Sequence, residues 1–460
     1  MSIHIPKPQS ITNKEEKVMK MQIFCPHSST VGCVNSLLVT THPPLKRRRR
    51  RSILPTHICV QGVNMYWCIG KIVITVLFGV ASCIVFLLTR GDMFQRKVSV
   101  ELNPGLTPPW VLPAGVNLVH VRGLGQSDTL HFLLCNHGAP ALLMVNTYST
   151  QSAVQVDWPA FINRSSAGSL KVEPQTSVRY SRALVFTRVW EYDDVRNTAD
   201  PQQTAESSFY PPYELQNFIW SDPKITVNQS GHTVTLCGGE KTESFISGSL
   251  CLQFSAFESV GRDEMWPNLR HNANSSQLRV WLDGVTPRGN HSRFALEFQS
   301  VGDSVFRERT YDSNCIDDEY KPYFFQVSNW VSVPVNGDNV WGYNQWKPVA
   351  YRKPEPDPTP CKHSELVSVD QIPQSRLVQA YFIKDPQTYG LNISFGNAGD
   401  PVFYNATKYI SWTVLMGLGE PLRNSFYYLH IAFIPIGTVI LVMIFAVECA
   451  CKRASGYTRI

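Results

Sequence analysis

Beyond its first 64 residues this chain has no surplus of positive charge. Residues 1–64 hold ten Lys/Arg against Glu15 and Glu16, a net of +8, while the whole chain carries +6, so the remainder comes to −2. A body of that charge offers nucleic acid no electrostatic footprint. The sequence also lacks a G-x-S-x-G nucleophile elbow, an H-E-x-x-H pair, a P-loop and a G-x-G-x-x-G turn. Each absence removes a reaction class: Ser-based acyl transfer on a hydrolase elbow, zinc proteolysis, nucleotide hydrolysis and dinucleotide redox chemistry. Seven histidines (His120, His131, His137, His232, His271, His291, His363) show no metal-ligand spacing. In an acidic compartment such side chains are expected to be charged. The nearest approach to a catalytic cluster is Asp317-Asp318-Glu319. Glycoside hydrolysis needs two carboxylates across a cleft of about 5–9 Å. Neighbouring acids on a strand point to opposite faces, so a solvated acidic turn is the better expectation.

Long apolar runs are confined to two places. Phe426 to Val447 is apolar almost throughout, and its 22 residues suffice to cross a bilayer as a helix. Tyr427, Tyr428 and His430 stand at its entry, and Lys452 with Arg453 closes the far side, which marks that side as cytoplasmic. The second run, Ile72 to Leu88, follows Lys71 and is the length of a long signal-peptide core. Met65 lies just upstream, so residues 65–91 are expected to form a signal peptide, or else an uncleaved signal anchor giving two spans. Residues 1–64 show no helical or strand period, and their basic run Lys46–Arg51 is expected to be a disordered extension, outside the native protein if translation starts at Met65. Either choice places Gly91 to Ser425 in the lumen.

Six glycosylation triplets agree with that placement. Asn163, Asn228, Asn274, Asn290, Asn392 and Asn405 each begin N-x-S/T, and all six lie between the two apolar runs. Ordinary composition gives roughly two in a chain of this length. The short tail 448–460 ends in Gly456-Tyr457-Thr458-Arg459-Ile460. A tyrosine three residues before a large aliphatic fills two pockets of a clathrin adaptor as an extended peptide. The tail is similar to those of lysosome-associated membrane proteins. Cys449 and Cys451, at the membrane exit, are palmitoylation candidates or plain reduced thiols.

The lumenal segment is predicted to be all-β. Period-two alternation marks Leu250–Ala256, Leu278–Leu282 and Phe294–Phe298, the last two joined as a long hairpin with Asn290 at its tip. Further strands are expected at Val98–Leu102, Leu118–Val121, Leu130–Leu134, Ala141–Thr147, Arg182–Trp190, Leu377–Ile383, Leu391–Phe395 and Tyr409–Leu415. Proline-rich stretches near Pro201–Pro212 and Arg352–Pro360 mark loops. The expected architecture is two antiparallel β-sandwich domains, 92–220 and 221–425, then one transmembrane helix at 426–447. Lumenal cysteines are few: Cys135, Cys237, Cys251, Cys315 and Cys361. With one thiol left over, several pairings are open. Short-range pairing favours Cys237–Cys251, flanking a Gly238-Gly239 turn, and Cys315–Cys361, with Cys135 as a buried, inert thiol.

Several phrases then carry a resemblance. Ser181-Arg182-Ala183-Leu184-Val185-Phe186-Thr187-Arg188, Tyr210-Pro211-Pro212-Tyr213, Ile316-Asp317-Asp318-Glu319-Tyr320, Gln345-Trp346-Lys347-Pro348-Val349-Ala350-Tyr351 and Tyr409-Ile410-Ser411-Trp412 resemble the glycosylated lysosomal membrane protein family, in order from about Val98 to the C-terminus. The resemblance implies a type I, heavily glycosylated lysosomal membrane protein that is not an enzyme and needs no cofactor. It implies a partner too, a lysosomal major facilitator superfamily transporter of dipeptides, for which the chain acts as an accessory subunit against lumenal proteases. Ser276 and Tyr389 stand near two of the family's usual lumenal cysteines, and Cys237 and Cys251 look like additions. Family disulfides therefore carry over only to Cys315 and Cys361. A lysosomal acid hydrolase and a cell-surface adhesion receptor are the alternative functions.

Overall fold

The computed structural model describes residues 95–163, 166–227, 231–263, 270–303, 305–311, 327–333, 342–347, 349–351, 358–360, 362–384, 386–395 and 409–419. The chain enters on β1 (Lys97–Leu102), β2 (Leu118–Leu124), β3 (Thr129–Cys135), β4 (Ala141–Thr147), β5 (Ala153–Val156), β6 (Leu170–Glu173), β7 (Val178–Asp193) and β8 (Tyr213–Glu214). Next come β9 (Ile219–Trp220), β10 (Lys224–Val227), β11 (His232–Gly239), β12 (Ser249–Ala256), β13 (Gly261–Arg262), β14 (Arg270–His271), β15 (Ser275–Asp283) and β16 (Ser292–Gly302). The last group is β17 (Val305–Tyr311), β18 (Val327–Val333), β19 (Gly342–Lys347), β20 (Val349–Tyr351), β21 (Pro358–Pro360), β22 (Val367–Ser368), β23 (Gln387–Phe395) and β24 (Tyr409–Leu418).

Two nine-stranded antiparallel sheets dominate. The first runs β1-β2-β3-β4-β7-β16-β23-β22 with β8 beside β7, and the second runs β10-β11-β12-β15-β24-β19-β18-β17 with β9 beside β11. The first sheet therefore takes strands from both expected segments, 92–220 and 221–425, and the second sheet takes β9 from the first of them. The reason is the apolar alternation itself. Leu184, Phe186 and Val189 of β7 and Phe294, Leu296 and Phe298 of β16 face the same core as Val234, Leu236, Leu252, Phe254 and Val280 of the second sheet. Phe132 meets Phe254 at 5.1 Å between ring centroids, and Phe245 meets Phe294 at 6.3 Å. One core holds one sandwich.

The first sheet is covered on its other face as well. A second cluster, including Leu133, Leu143, Val145, Ala183 and Val185, packs under the helix Trp158–Ile162, the β5–β6 ribbon and the helix Arg376–Tyr381. Burial on both faces explains the near-continuous apolar reading of β3 and β4. Asp157 caps the first of these helices, accepting from the Ala160 N–H at 3.2 Å. The second helix corrects the strand expected at Leu377–Ile383. Leu377, Val378 and Tyr381 stand at i, i+1 and i+4, a helical stripe that a short apolar run cannot announce against a strand.

Two turns are corrected too. β15 and β16 belong to different sheets, so residues 284–291 form an arch between sheets and not a hairpin. Gly238 and Gly239 continue β11 against β9 instead of turning. A Cβ on Gly238 would lie 2.7 Å from the Trp220 ring, so the glycine is there for close approach.

Strand register gives the sandwich two ends. Lys97, Leu124, Thr129, Thr147 and Val178 align across the first sheet, as do His232, Ala256, Ser276 and Met416 across the second. This Val178 end lies opposite the Asp193 end, where Asp193 pairs with Ser292 and Asp283 with Tyr409. Among the described residues no helix is long and apolar enough to cross a membrane, and the run 426–447 lies outside them.

Candidate functional site

The Asp193 end is built around two buried carboxylates. Glu191 is fully buried on β7, where it accepts from the Tyr213 hydroxyl (3.1 Å), the Ser244 hydroxyl (2.8 Å) and the Arg288 backbone N–H (2.7 Å). The Arg288 Nε lies 3.3 Å away, completing an ion pair, and its guanidinium stacks over Tyr210 and Tyr213 at 5.1 and 4.8 Å. Asp194 accepts from Arg293 Nε at 2.6 Å, Ala199 N at 2.7 Å and Thr198 N at 3.0 Å. Three hydrogen bonds and an ion pair engage Glu191, and Asp194 accepts from several donors, so both carboxylates are committed to holding the surrounding chain. Their charge instead fixes the arch and the 194–200 loop to the sheet. Asn290 is exposed on that arch.

At the Val178 end a third ion pair joins distant parts of the chain. Arg96 is 4% exposed and grips Asp128 through Nη1–Oδ1 at 2.8 Å and Nη2–Oδ2 at 2.6 Å. Its Nε and Nη2 also donate to the Asn274 Oδ1, at 3.1 and 2.9 Å. The Asn274 carbonyl accepts from Leu418 N at 3.0 Å. One candidate glycosylation asparagine thus ties the residue before the first strand to the last strand of the described chain.

A polar chain runs through β2 and β3. His120 Nε2 and His131 Nδ1 are 3.0 Å apart, His131 Nε2 reaches Ser152 Oγ at 2.9 Å, and Ser152 Oγ reaches Thr147 Oγ1 at 2.7 Å. Burial, then the nearby Arg122 charge, lowers the His120 pKa from 6.5 to about 4. Burial, then His120 and Arg122, lowers that of His131 to about 3. Burial also lowers His137, His232 and His271. The expectation of charged lumenal histidines is therefore corrected for His120 and His131, because desolvation strongly favours their neutral form, while for the other three burial works in the same direction.

The remaining expected sites fall as follows. Asn163 is exposed at the end of the Trp158–Ile162 helix, with Arg376 Nη1 donating to its carbonyl at 2.8 Å. Asn392 is half-buried on β23, paired in register with Glu297. Cys237 and Cys251, opposite each other on β11 and β12, form a disulfide, and Cys135 is a buried free thiol whose pKa burial raises to about 12. Asn228, Asn405, Cys315, Cys361, Asp317–Glu319, Cys449, Cys451, Gly456, Tyr457 and Ile460 lie outside the described residues. Among the described residues no group of three His, Cys, Asp or Glu side chains converges as a metal site. Sequence reasoning passed over Arg96, Glu191 and Arg288. Tyr210 and Tyr213, in the Tyr-Pro-Pro-Tyr phrase, were the one signal leading to this cluster.

Comparison with known proteins places the chain. The family profile described as glycosylated lysosomal membrane protein matches residues 117–456. The chain belongs to the glycosylated lysosomal membrane protein family. A relative of that name from Danio rerio is 68% identical over 367 residues, covering 79% of this chain and 89% of the relative. Glycosylated lysosomal membrane protein B from Xenopus laevis is 40% identical over 375 residues, covering 79% and 91%. The Homo sapiens glycosylated lysosomal membrane protein is 34% identical over 336 residues, covering 71% and 80%. The family is named for a membrane glycoprotein and not for an enzymatic activity.

Proposed function

We propose that this protein is a heavily glycosylated type I lysosomal membrane protein that serves as the non-catalytic accessory subunit of a lysosomal major facilitator superfamily dipeptide transporter. The observation that carries the reading is the Asp193 end, where the buried acids Glu191 and Asp194 are engaged by structural donors and hold in place an arch whose Asn290 is exposed. Such a site presents a sugar instead of performing chemistry. Sugars over a packed sandwich resist proteolysis, because cleavage needs locally unfolded backbone. The transporter gains that resistance while bound, through the 426–447 span and the lumenal base.

Mass action makes the stabilisation reciprocal, so each partner becomes scarcer when the other is lost. Deleting this chain is expected to lower the transporter's protein level without lowering its transcript, and inhibiting lysosomal proteases to restore it. An unchanged transporter half-life would overturn the accessory role and favour the adhesion-receptor reading.

A further inference from the structure

We infer that the Val178 end of the sandwich faces the membrane, resting on the lipid headgroups, with Asn274 clamping the junction. The inference rests on the reading of 426–447 as a span. β24 ends at Leu418, and Phe426 opens the apolar run. The seven residue steps from Gly419 to Phe426 cover at most about 25 Å. β7, at about 3.3 Å per residue, runs about 50 Å from Val178 to Asp193. The tether therefore leaves from one end of a body longer than the tether itself. The N-terminal end of the described sandwich lies there too: Arg96, just before β1, donates its N–H to the Glu258 carbonyl at 2.9 Å.

Asn274 joins these two departures. Its side-chain oxygen is held by Arg96 and its carbonyl by Leu418 N. A tether anchored in this way cannot peel the last strand from β15 without breaking a buried ion-pair network. The surface at this end suits headgroups. Tyr148 is 49% exposed with the Arg179 guanidinium 5.1 Å over its ring, Lys97 is exposed, and Val227 and Val260 are 63% and 43% exposed. An amphipathic ring, cations and short apolar side chains match the interfacial layer, where each has a partner.

The test uses the full chain, reconstituted in vesicles containing a phosphatidylethanolamine with a biotinylated headgroup. A benzophenone amino acid replaces either Val260, at the Val178 end, or Ile246, which is 70% exposed near the opposite end. Both positions are open, so neither change disturbs the core. On irradiation the 260 variant is expected to take up biotin several-fold more than the 246 variant. Equal labelling, or stronger labelling at 246, overturns the orientation. Flotation of the vesicles is scored separately. A chain that does not float with lipid refutes the span reading itself, whereas a floating chain with the wrong labelling refutes only the orientation.

Discussion

Glu191 and Arg288 show what a buried ion pair does at the scale of one residue. Removing the carboxylate leaves the Tyr213 and Ser244 hydroxyls without their acceptor, and leaves a guanidinium that is 17% exposed with only the more distant Glu243, at 3.8 Å. Breaking a buried pair from one side costs about 3–5 kcal/mol. Glu191→Ala is expected to lower stability by that amount in chemical denaturation. Ala199 tests the neighbouring loop: it is fully buried at φ 54, a left-handed conformation that costs a residue with a Cβ about 1–2 kcal/mol. Glycine removes that strain but adds about 0.5–1 kcal/mol of unfolded-state entropy. The change also removes a buried methyl worth about 0.8 kcal/mol, so Ala199→Gly should leave the denaturation midpoint nearly unchanged, whereas a β-branched residue there should lower it. His120 and His131 set a pH dependence of known sign. Their folded-state pKa values, about 4 and about 3, lie below the ordinary 6.5, so the unfolded chain binds more protons throughout that window. Stability is full above pH 6.5 and falls as pH drops towards the folded values. The loss is on the order of 2 kcal/mol per imidazole by pH 5. Replacing both histidines with glutamine should flatten the slope of stability between pH 6.5 and 5, and an unchanged slope would place its origin elsewhere.

At the scale of elements, period-two alternation was legible wherever a strand buries one face. Leu250–Ala256 and Phe294–Phe298 lie within β12 and β16. The sequence misled where burial is two-sided or the run is short. Most of the run expected at Leu377–Ile383 packs instead as the helix Arg376–Tyr381 against the outer face of the first sheet, and no local pattern says which layer will receive it. Strands β15 and β16 looked like hairpin partners because they are neighbours in sequence, yet pairing is decided by which sheet each apolar face completes. The site was less legible still. Arg96, Asp128 and Asn274 are far apart in the chain, and no spacing rule joins them. Cys237 and Cys251 were within reach because the 14-residue separation is short, and their bond should contribute about 3 kcal/mol by the loop-closure estimate. Changing both to serine is expected to lower stability by about 2–3 kcal/mol, measured against the parent under oxidising conditions.

On the scale of the whole molecule, the proposed topology puts sugars and address on opposite sides of one membrane. Six acceptor triplets fall between residues 91 and 425, and two of them, Asn163 and Asn290, are exposed on the folded sandwich. Treatment with an N-glycosidase should reduce the apparent mass by several glycans, and a modified asparagine outside that segment would refute the topology. The tail provides the complementary test. If Tyr457 and Ile460 reach a cytoplasmic adaptor, the phenol fills one of two separate pockets, and removing it empties that pocket while leaving the lumenal body untouched. Tyr457→Ala should then raise the cell-surface fraction relative to the parent, with no change in glycan mass or denaturation midpoint. A bound transporter with its own signal would carry the variant to lysosomes, so the measurement belongs in cells lacking that partner. There, an unchanged lysosomal fraction would mean that the address lies in the lumenal sandwich or the span, and not in the last five residues.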